Sequence, residues 1–435
     1  MAYLAIFFCI VTFIVSYKKY KHFYHPIVFF TGLWSVILFF ANLQLFDMYG
    51  ASNRTYFIIL IGCISFVCGC VVAEKIVIIV GPRFLKEYKT NDKNIIKGTY
   101  IHWIMQILCI ITILVYTVDL IQILPLYISG NTMEDIRAIY AFKSGTGIGG
   151  PLFSVLRSYV AAPFALALIP ISALEAFTPS RKRYTLVFIC AYFQICNTLI
   201  EAGRVGIVQW LLMYVIIYLI VVPHESRKKI TRKMKRRIIF SIICCASVVV
   251  YLTMLRGVDD QIKGIYFYVS GCVPFFDLQI DMVDKAGFYS YGLASMFGIM
   301  VIFQWILSVF GIYVPFLTKV SEVATRQEYY LIGKNTNFNA FVTTFYHFYV
   351  DGRVAGVMIG MLFFGYICGK LYKNIYKKEG ARDICVFALL IMGLMMSMVR
   401  FWMVTTTNVL AVMYVMLLYP KKCNSGEKNE KKFNN

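Results

Sequence analysis

The chain has 435 residues, 60% of them hydrophobic and only 15% charged, with a mean hydropathy of +0.70. That balance excludes a soluble multidomain protein and reads as a polytopic membrane protein. The formal charge of +21 would suit a nucleic-acid partner, but the basic runs, such as "SRKKITRKMKRR" (226–237), are short loops between apolar segments, where they serve as membrane-topology anchors. No nucleic-acid partner is expected.

A helix needs about 20 apolar residues to cross the hydrocarbon core. On that ruler about eleven spans are predicted, at 2–17, 27–46, 56–74, 100–122, 158–177, 184–200, 205–222, 238–254, 353–372, 383–399 and 403–420. The first has no basic residue before it, "YKKYK" after it and no small-residue cleavage site, so it reads as a span and not as a signal peptide. Segments 17–26, 75–99, 178–184, 223–237, 370–382 and 420–435 hold 30 of the 43 Lys and Arg, and they alternate along the chain. Short basic loops are cytoplasmic. The N-terminus is therefore expected outside and the C-terminus inside, with 421–435 a disordered basic cytoplasmic tail.

The remaining 13 basic residues share the outer side with 13 of the 22 acids, so that face is near neutral. It carries two large loops, 123–157 and 255–352. The second contains the apolar segment 293–317, whose full crossing would invert everything after it. It is predicted to be re-entrant or to lie along the interface, where protein covers its backbone. The expectation is one all-α integral membrane domain over 1–435.

Motifs for soluble chemistry are missing. There is no nucleotide-binding glycine loop and no H-E-x-x-H. Of the 13 cysteines most lie in apolar spans, only Cys272 is read as an outer-loop residue, and no C-x-x-C occurs. Neither a metal nor another cofactor is expected. In the ninth span Gly352, Gly356, Gly360, Gly365 and Gly369 recur at four- and five-residue steps, a spacing that lets helices approach closely.

Arginine stands out on the outer side: eight Arg (54, 137, 157, 204, 256, 326, 353, 400) against five Lys. Planar guanidinium groups suit bidentate binding of phosphate or pyrophosphate better than lysine does. Arg137 follows Glu134 and Asp135 before a glycine-rich turn, a pattern that also fits a solvated amphipathic helix. Groups able to take a proton from an attacking hydroxyl are few: His347, Asp351, Glu328 and Glu201. His347 reads equally as an interfacial aromatic with a polar tip. Glu201 and Arg204, three residues apart in "CNTLIEAGRVGIVQW", could instead simply pair. Tyr266, Tyr268, Tyr329, Tyr330 and Tyr349 could stack on sugar rings, although tyrosines gather at membrane interfaces in any case.

The passage "NTNFNAFVTTFYHFYVDGRVAGVMIGMLFFGYICGKLY" (335–372) resembles the one that precedes a late span in Wzy-type oligosaccharide repeat-unit polymerases. Asp351 and Gly356 stand in register with that pattern, while Gly352 and Arg353 replace its aromatic and glycine. The "GR" of Gly203 and Arg204 at the outer start of a span is also similar to the family, as is the layout of spans and loops. The resemblance implies a metal-independent glycosyltransferase of the cell membrane, active on its outer face, on a scaffold of GT-C kind. It would move the growing glycan from undecaprenyl pyrophosphate to the non-reducing end of an incoming lipid-linked repeat unit. In these terms Arg204, Arg256 and Arg326, with Arg137, would hold pyrophosphate, and His347, Asp351 or Glu201 would serve the acceptor hydroxyl. Asn335, Asn339, Tyr330 and Tyr349 would bind sugars. A flippase and a chain-length regulator of the same pathway are the implied partners. An O-antigen ligase and, in a different class, a lipid-linked oligosaccharide flippase or secondary transporter are the competing readings.

Overall fold

In a computed structural model the described residues are 1–80, 99–131, 135–136, 150–178, 184–201, 203, 205–222, 261–325, 329–334, 336–338, 341–378 and 380–420. The predicted span 238–254 and tail 421–435 lie outside them, as do Arg137, Arg204, Arg256, Arg326, Asn335 and Asn339.

The chain folds as helices α1 (Ala2–Tyr20), α2 (Pro26–Leu43), α3 (Asn53–Val80), α4 (His102–Ile128), α5 (Gly150–Leu156) and α6 (Ala162–Phe177). A π-helical turn, Arg157–Ala161, joins the last two. Then follow α7 (Thr185–Ile200), α8 (Val205–Val221), α9 (Gln261–Ser270), α10 (Cys272–Ala286), α11 (Phe297–Val309), α12 (Pro315–Ala324), α13 (Thr343–Lys378), α14 (Ala381–Met395) and α15 (Thr406–Leu418). Among the described residues seven helical runs are long and apolar enough to cross a membrane: α1, α2, α3 to Lys75, α4, Leu152–Phe177, Thr343–Ile375 and Ala381–Met398. The predicted spans 184–200, 205–222 and 403–420 fall on shorter apolar helices, Thr185–Ile200, Gly206–Val221 and Thr406–Leu418.

Lysines gather at one end of the bundle, called here the basic end. Glu74 of α3 ties it together: it accepts 2.5 Å from the Tyr20 hydroxyl, lies 3.1 Å from His25 Nε2 and 3.7 Å from Lys19. Lys373 of α13 donates 3.1 Å to the Glu74 carbonyl. His25 also starts α2, its ring accepting from the Ile27 amide at 3.3 Å while Pro26 fills the first position.

Small residues decide the central helix pair. A Cβ on Gly69 would overlap the Leu362 carbonyl, and one on Gly365 the Phe66 carbonyl. The α3 and α13 backbones therefore touch, as small residues at that spacing permit. Gly356 and Gly360 do something else: both lie against Phe348 of their own helix run, eight and twelve residues earlier. In a straight helix an eight-residue separation is about 12 Å. The run is broken at Gly352 (φ −162°, ψ 30°) and Arg353 (φ 55°, ψ −140°), and the segment 343–351 doubles back beside 354–378.

The segment that doubles back is 343–351. Within 293–317 the structure has the 13-residue α11, whose Phe303, Trp305 and Val309 are exposed. Lys319 of the returning α12 then sits over the Phe288 ring at 4.9 Å. A 13-residue helix is about 20 Å long, short of the hydrocarbon thickness.

Opposite the basic end a small antiparallel hairpin, β1 (Tyr330–Gly333) with β2 (Thr336–Phe338), pairs Tyr330 with Phe338. The α2–α3 loop adds to it through a 2.8 Å bond from the Tyr49 amide to the Ile332 carbonyl. Cys272, an outer-loop residue on the sequence reading, is fully buried at the start of α10.

Candidate functional site

Every residue from Val342 to Asp351 is buried. This half-helix runs from the Gly352–Arg353 bend toward the middle of the bundle, and its nine residues make it about 13 Å long. Its deep end, the N-terminus at Thr343, forms a parallel bridge with Arg400. Arg400 stands between α14 and α15, where helix gives way to the short 3-10 turns Met396–Met398 and Trp402–Val404. The floor is aromatic: Phe345 packs on Trp34 with centroids 4.8 Å apart, and Phe401 lies between Phe348 and Phe364.

Polar groups at this end lack partners. Among the described residues Thr343 Oγ1, Thr344 Oγ1 and His347 Nδ1 are buried without a hydrogen bond. His347 Nε2 reaches only the Ala324 carbonyl, at 3.4 Å. Thr343 and His347 are one helical turn apart and share a face. Arg400 is partly buried, is near enough to His347 for charge interaction, and has no carboxylate partner among the described residues. A desolvated guanidinium without a counter-ion is costly. The positive dipole of a helix N-terminus adds to it, so the local field at the deep end is positive.

A second polar group stands at the bend. Asp284 of α10 lies between two arginines, pairing with Arg54 of α3 and, at 3.0 Å, with Arg353 Nε. The Tyr349 hydroxyl donates to Asp284 at 3.0 Å and accepts from Arg54 at 2.5 Å. Arg353 also donates 3.0 Å to the Val283 carbonyl and stacks over Tyr289 at 4.3 Å. Asp277 of the same helix caps α3 through the Ser52 amide, at 3.1 Å, and the Thr55 hydroxyl.

The described candidates divide. His347 belongs to the deep end. The Asp351 carboxylate accepts from the Ser290 hydroxyl and from the Ala294 and Ser295 amides, and so holds the 290–295 loop. Tyr349 has a buried ring, with Arg353 over it at 5.5 Å, and donates its hydroxyl to Asp284. Tyr330 packs its ring on Phe275, centroids 6.1 Å apart, at the β-hairpin. Glu201 caps the end of α7, its amide donating 2.9 Å to the Asn197 carbonyl. It faces a separate group, Tyr116 with the Asp119–Arg157 ion pair of 3.2 Å at the π-helical turn. The pyrophosphate and asparagine candidates are not among the described residues.

Arg400, Arg353, Arg54 and Asp284 carry these two sites; the sequence reading gave the three arginines no individual role and did not name Asp284. Arginine excess on the outer side had pointed to three of them, but only the chain reversal at Gly352 shows which ones meet. Among the described residues no group of His, Cys, Asp and Glu could hold a metal ion. No family model, no curated protein and no solved structure matches the chain.

Proposed function

We propose that the protein is a polymerase of lipid-linked oligosaccharide repeat units, working at the membrane face opposite the basic end. One observation carries the reading: the Arg400 guanidinium, partly buried beside His347 at the N-terminus of a half-helix with no acidic partner among the described residues. A pyrophosphate that arrives on a polyprenyl chain from within the bilayer supplies the missing charge. The apolar lining keeps water out, so the donors act in a medium where they stabilise a leaving group strongly.

In the reaction the acceptor hydroxyl oxygen attacks the anomeric carbon of the donor glycan. The bond from that carbon to the pyrophosphate oxygen breaks, and its electron pair leaves with undecaprenyl pyrophosphate, held by Arg400 and the Thr343–Thr344 end. His347 Nδ1, which has no other partner, orients the hydroxyl, whose proton passes to the departing pyrophosphate. Neither nucleotide nor metal enters this step. A flippase that supplies the lipid-linked repeat and a chain-length regulator complete the pathway under this reading.

The test uses purified protein, lipid-linked repeat unit and detergent, with polymer length read on a gel. Arg400→Ala should leave single repeats only. Normal ladders from Arg400→Ala at normal protein level would refute the assignment.

A second reading has support in the same geometry, since half-helix N-termini deep in the membrane also hold anionic substrates in secondary transporters. Elongation in detergent, with no second compartment, separates the two: transport alone gives no ladder.

A further inference from the structure

Beyond the deep end of the half-helix, the rim of the bend has its own chemistry. Tyr291 is 79% exposed and Tyr289 41% exposed. Their rings stack with centroids 6.1 Å apart and planes 26° apart. Tyr291 has φ 51°, in the left-handed region that a bulky side chain rarely takes. Something must hold it there, and the structure shows what does. The Tyr291 amide donates 3.2 Å to the Asp351 carbonyl, the Ser290 amide 3.2 Å to the Val350 carbonyl, and Asp351 grips the other side of the loop. Arg353 backs the Tyr289 ring, and one of its nitrogens, Nη1, is buried without a partner.

From these rings the contacts continue without a gap: Tyr291 to Tyr289, to Arg353, to Asp284, to Arg54, and on to Asp281 at 3.9 Å. Two flat aromatic faces lead into four charged hydrogen-bonding groups. A lipid tail would use the rings and leave the charges idle. A phosphate would meet Asp281 and Asp284 as well as the arginines. A sugar chain uses both kinds of group, stacking its C–H faces on the rings and offering hydroxyls to carboxylate and guanidinium. The strained, braced placement of an exposed tyrosine is what a binding surface requires, since backbone strain persists where the surroundings enforce it.

We infer that the ridge from Tyr291 to Asp281 is an oligosaccharide-binding track, and that it positions the glycan whose lipid pyrophosphate occupies the deep end of the half-helix. The second clause rests on the polymerase reading; the first does not.

The experiment measures binding of a lipid-free repeat-unit oligosaccharide, released by mild acid from the native strain's own surface polysaccharide, to the purified full-length protein in detergent. Tyr291→Ala should weaken binding about tenfold, the size of one lost aromatic contact, while Tyr291→Trp retains it. Tyr313→Ala, which removes another exposed ring, 72% exposed on the α11–α12 turn, should leave binding as it was. No binding by the native protein, equal binding by Tyr291→Ala, or the same loss from Tyr313→Ala would each overturn the track. If the oligosaccharide binds and Tyr291 matters but no ladder forms from lipid-linked repeats, the track stands and the polymerase reading falls. Ladders formed by a protein whose Tyr291→Ala variant binds and elongates normally would remove the track alone.

Discussion

The Ser290 hydroxyl donates a 2.6 Å hydrogen bond to the Asp351 carboxylate, tying the loop before α11 to the end of the half-helix. With the Ala294 and Ser295 amides, at 3.0 and 3.2 Å, the carboxylate makes three bonds in a buried site. Asp351→Ala should cost about 2–4 kcal/mol, since bonds to a charged acceptor are worth more than neutral ones and the donors are left unpaired. The loss should show as a lower unfolding temperature and faster amide exchange at 290–295. Unchanged exchange there would mean that the loop is held by other contacts.

Arg400 makes an unusual expectation about sign. Arg400→Met removes a desolvated charge that has no counter-ion among the described residues, while keeping an unbranched apolar stem. Stability should rise, by about 1–2 kcal/mol, even as polymer formation is lost. Thermal unfolding of native and variant protein without substrate measures this. A fall in unfolding temperature would show that Arg400 has a structural partner instead of a bound anion.

Helix contact at the centre predicts the opposite response to a very small change. Gly69→Ala or Gly365→Ala places a methyl group against a backbone carbonyl that cannot rotate away. Each should cost about 2–3 kcal/mol through separation of α3 and α13. Gly287, with φ 60° and no atom within 4 Å of its added Cβ, supplies the contrast, because there the cost would come from backbone strain alone. Detergent-solubilised yield and melting temperature report both.

His25 gives the basic end a dependence on pH. Burial lowers its pKa from 6.5 by more than the 3.1 Å Glu74 contact raises it. The fold therefore favours the neutral ring, and the unfolded chain binds the proton more readily. Stability is complete above the ordinary value of 6.5 and falls as pH drops below it. His25→Asn keeps a side chain able to cap α2 and removes the titrating group, so its unfolding temperature should change less between about pH 7.5 and about pH 5.5. Equal pH slopes for both proteins would count against this.

Hydropathy located the long helices because a membrane span is written in one continuous apolar run, as "FIILIGCISFVCGC" in α3 shows. Glycine spacing in α13 foretold close packing, and Gly365 and Gly369 do meet α3. The same rule gave no hint that Gly356 and Gly360 face their own chain. That difference comes from φ and ψ at Gly352 and Arg353, which "YVDGRVAG" does not announce: any Asp-Gly can be a turn or part of a helix. Asp351 looked catalytic because a lone carboxylate near an outer loop is chemically apt. Its hydrogen bonds come from residues 56 to 61 positions away, beyond the reach of a local motif. Arg400 was hidden for a related reason, since it stands between two apolar runs and its burial depends on helices distant in sequence.

The doubled-back half-helix also constrains how the chain is made. Residues 343–351 are covered by α2, α12 and the α14–α15 junction; the first two are synthesised before them and the third after. A ribosome-bound chain ending before Ala381 has α3 and the descending part of α13 but no Arg400 beneath Thr343. The bridge between Thr343 and Arg400 therefore cannot form until the α14–α15 junction has been made. Truncation before Ala381 should leave 343–351 more sensitive to protease than it is in the full chain.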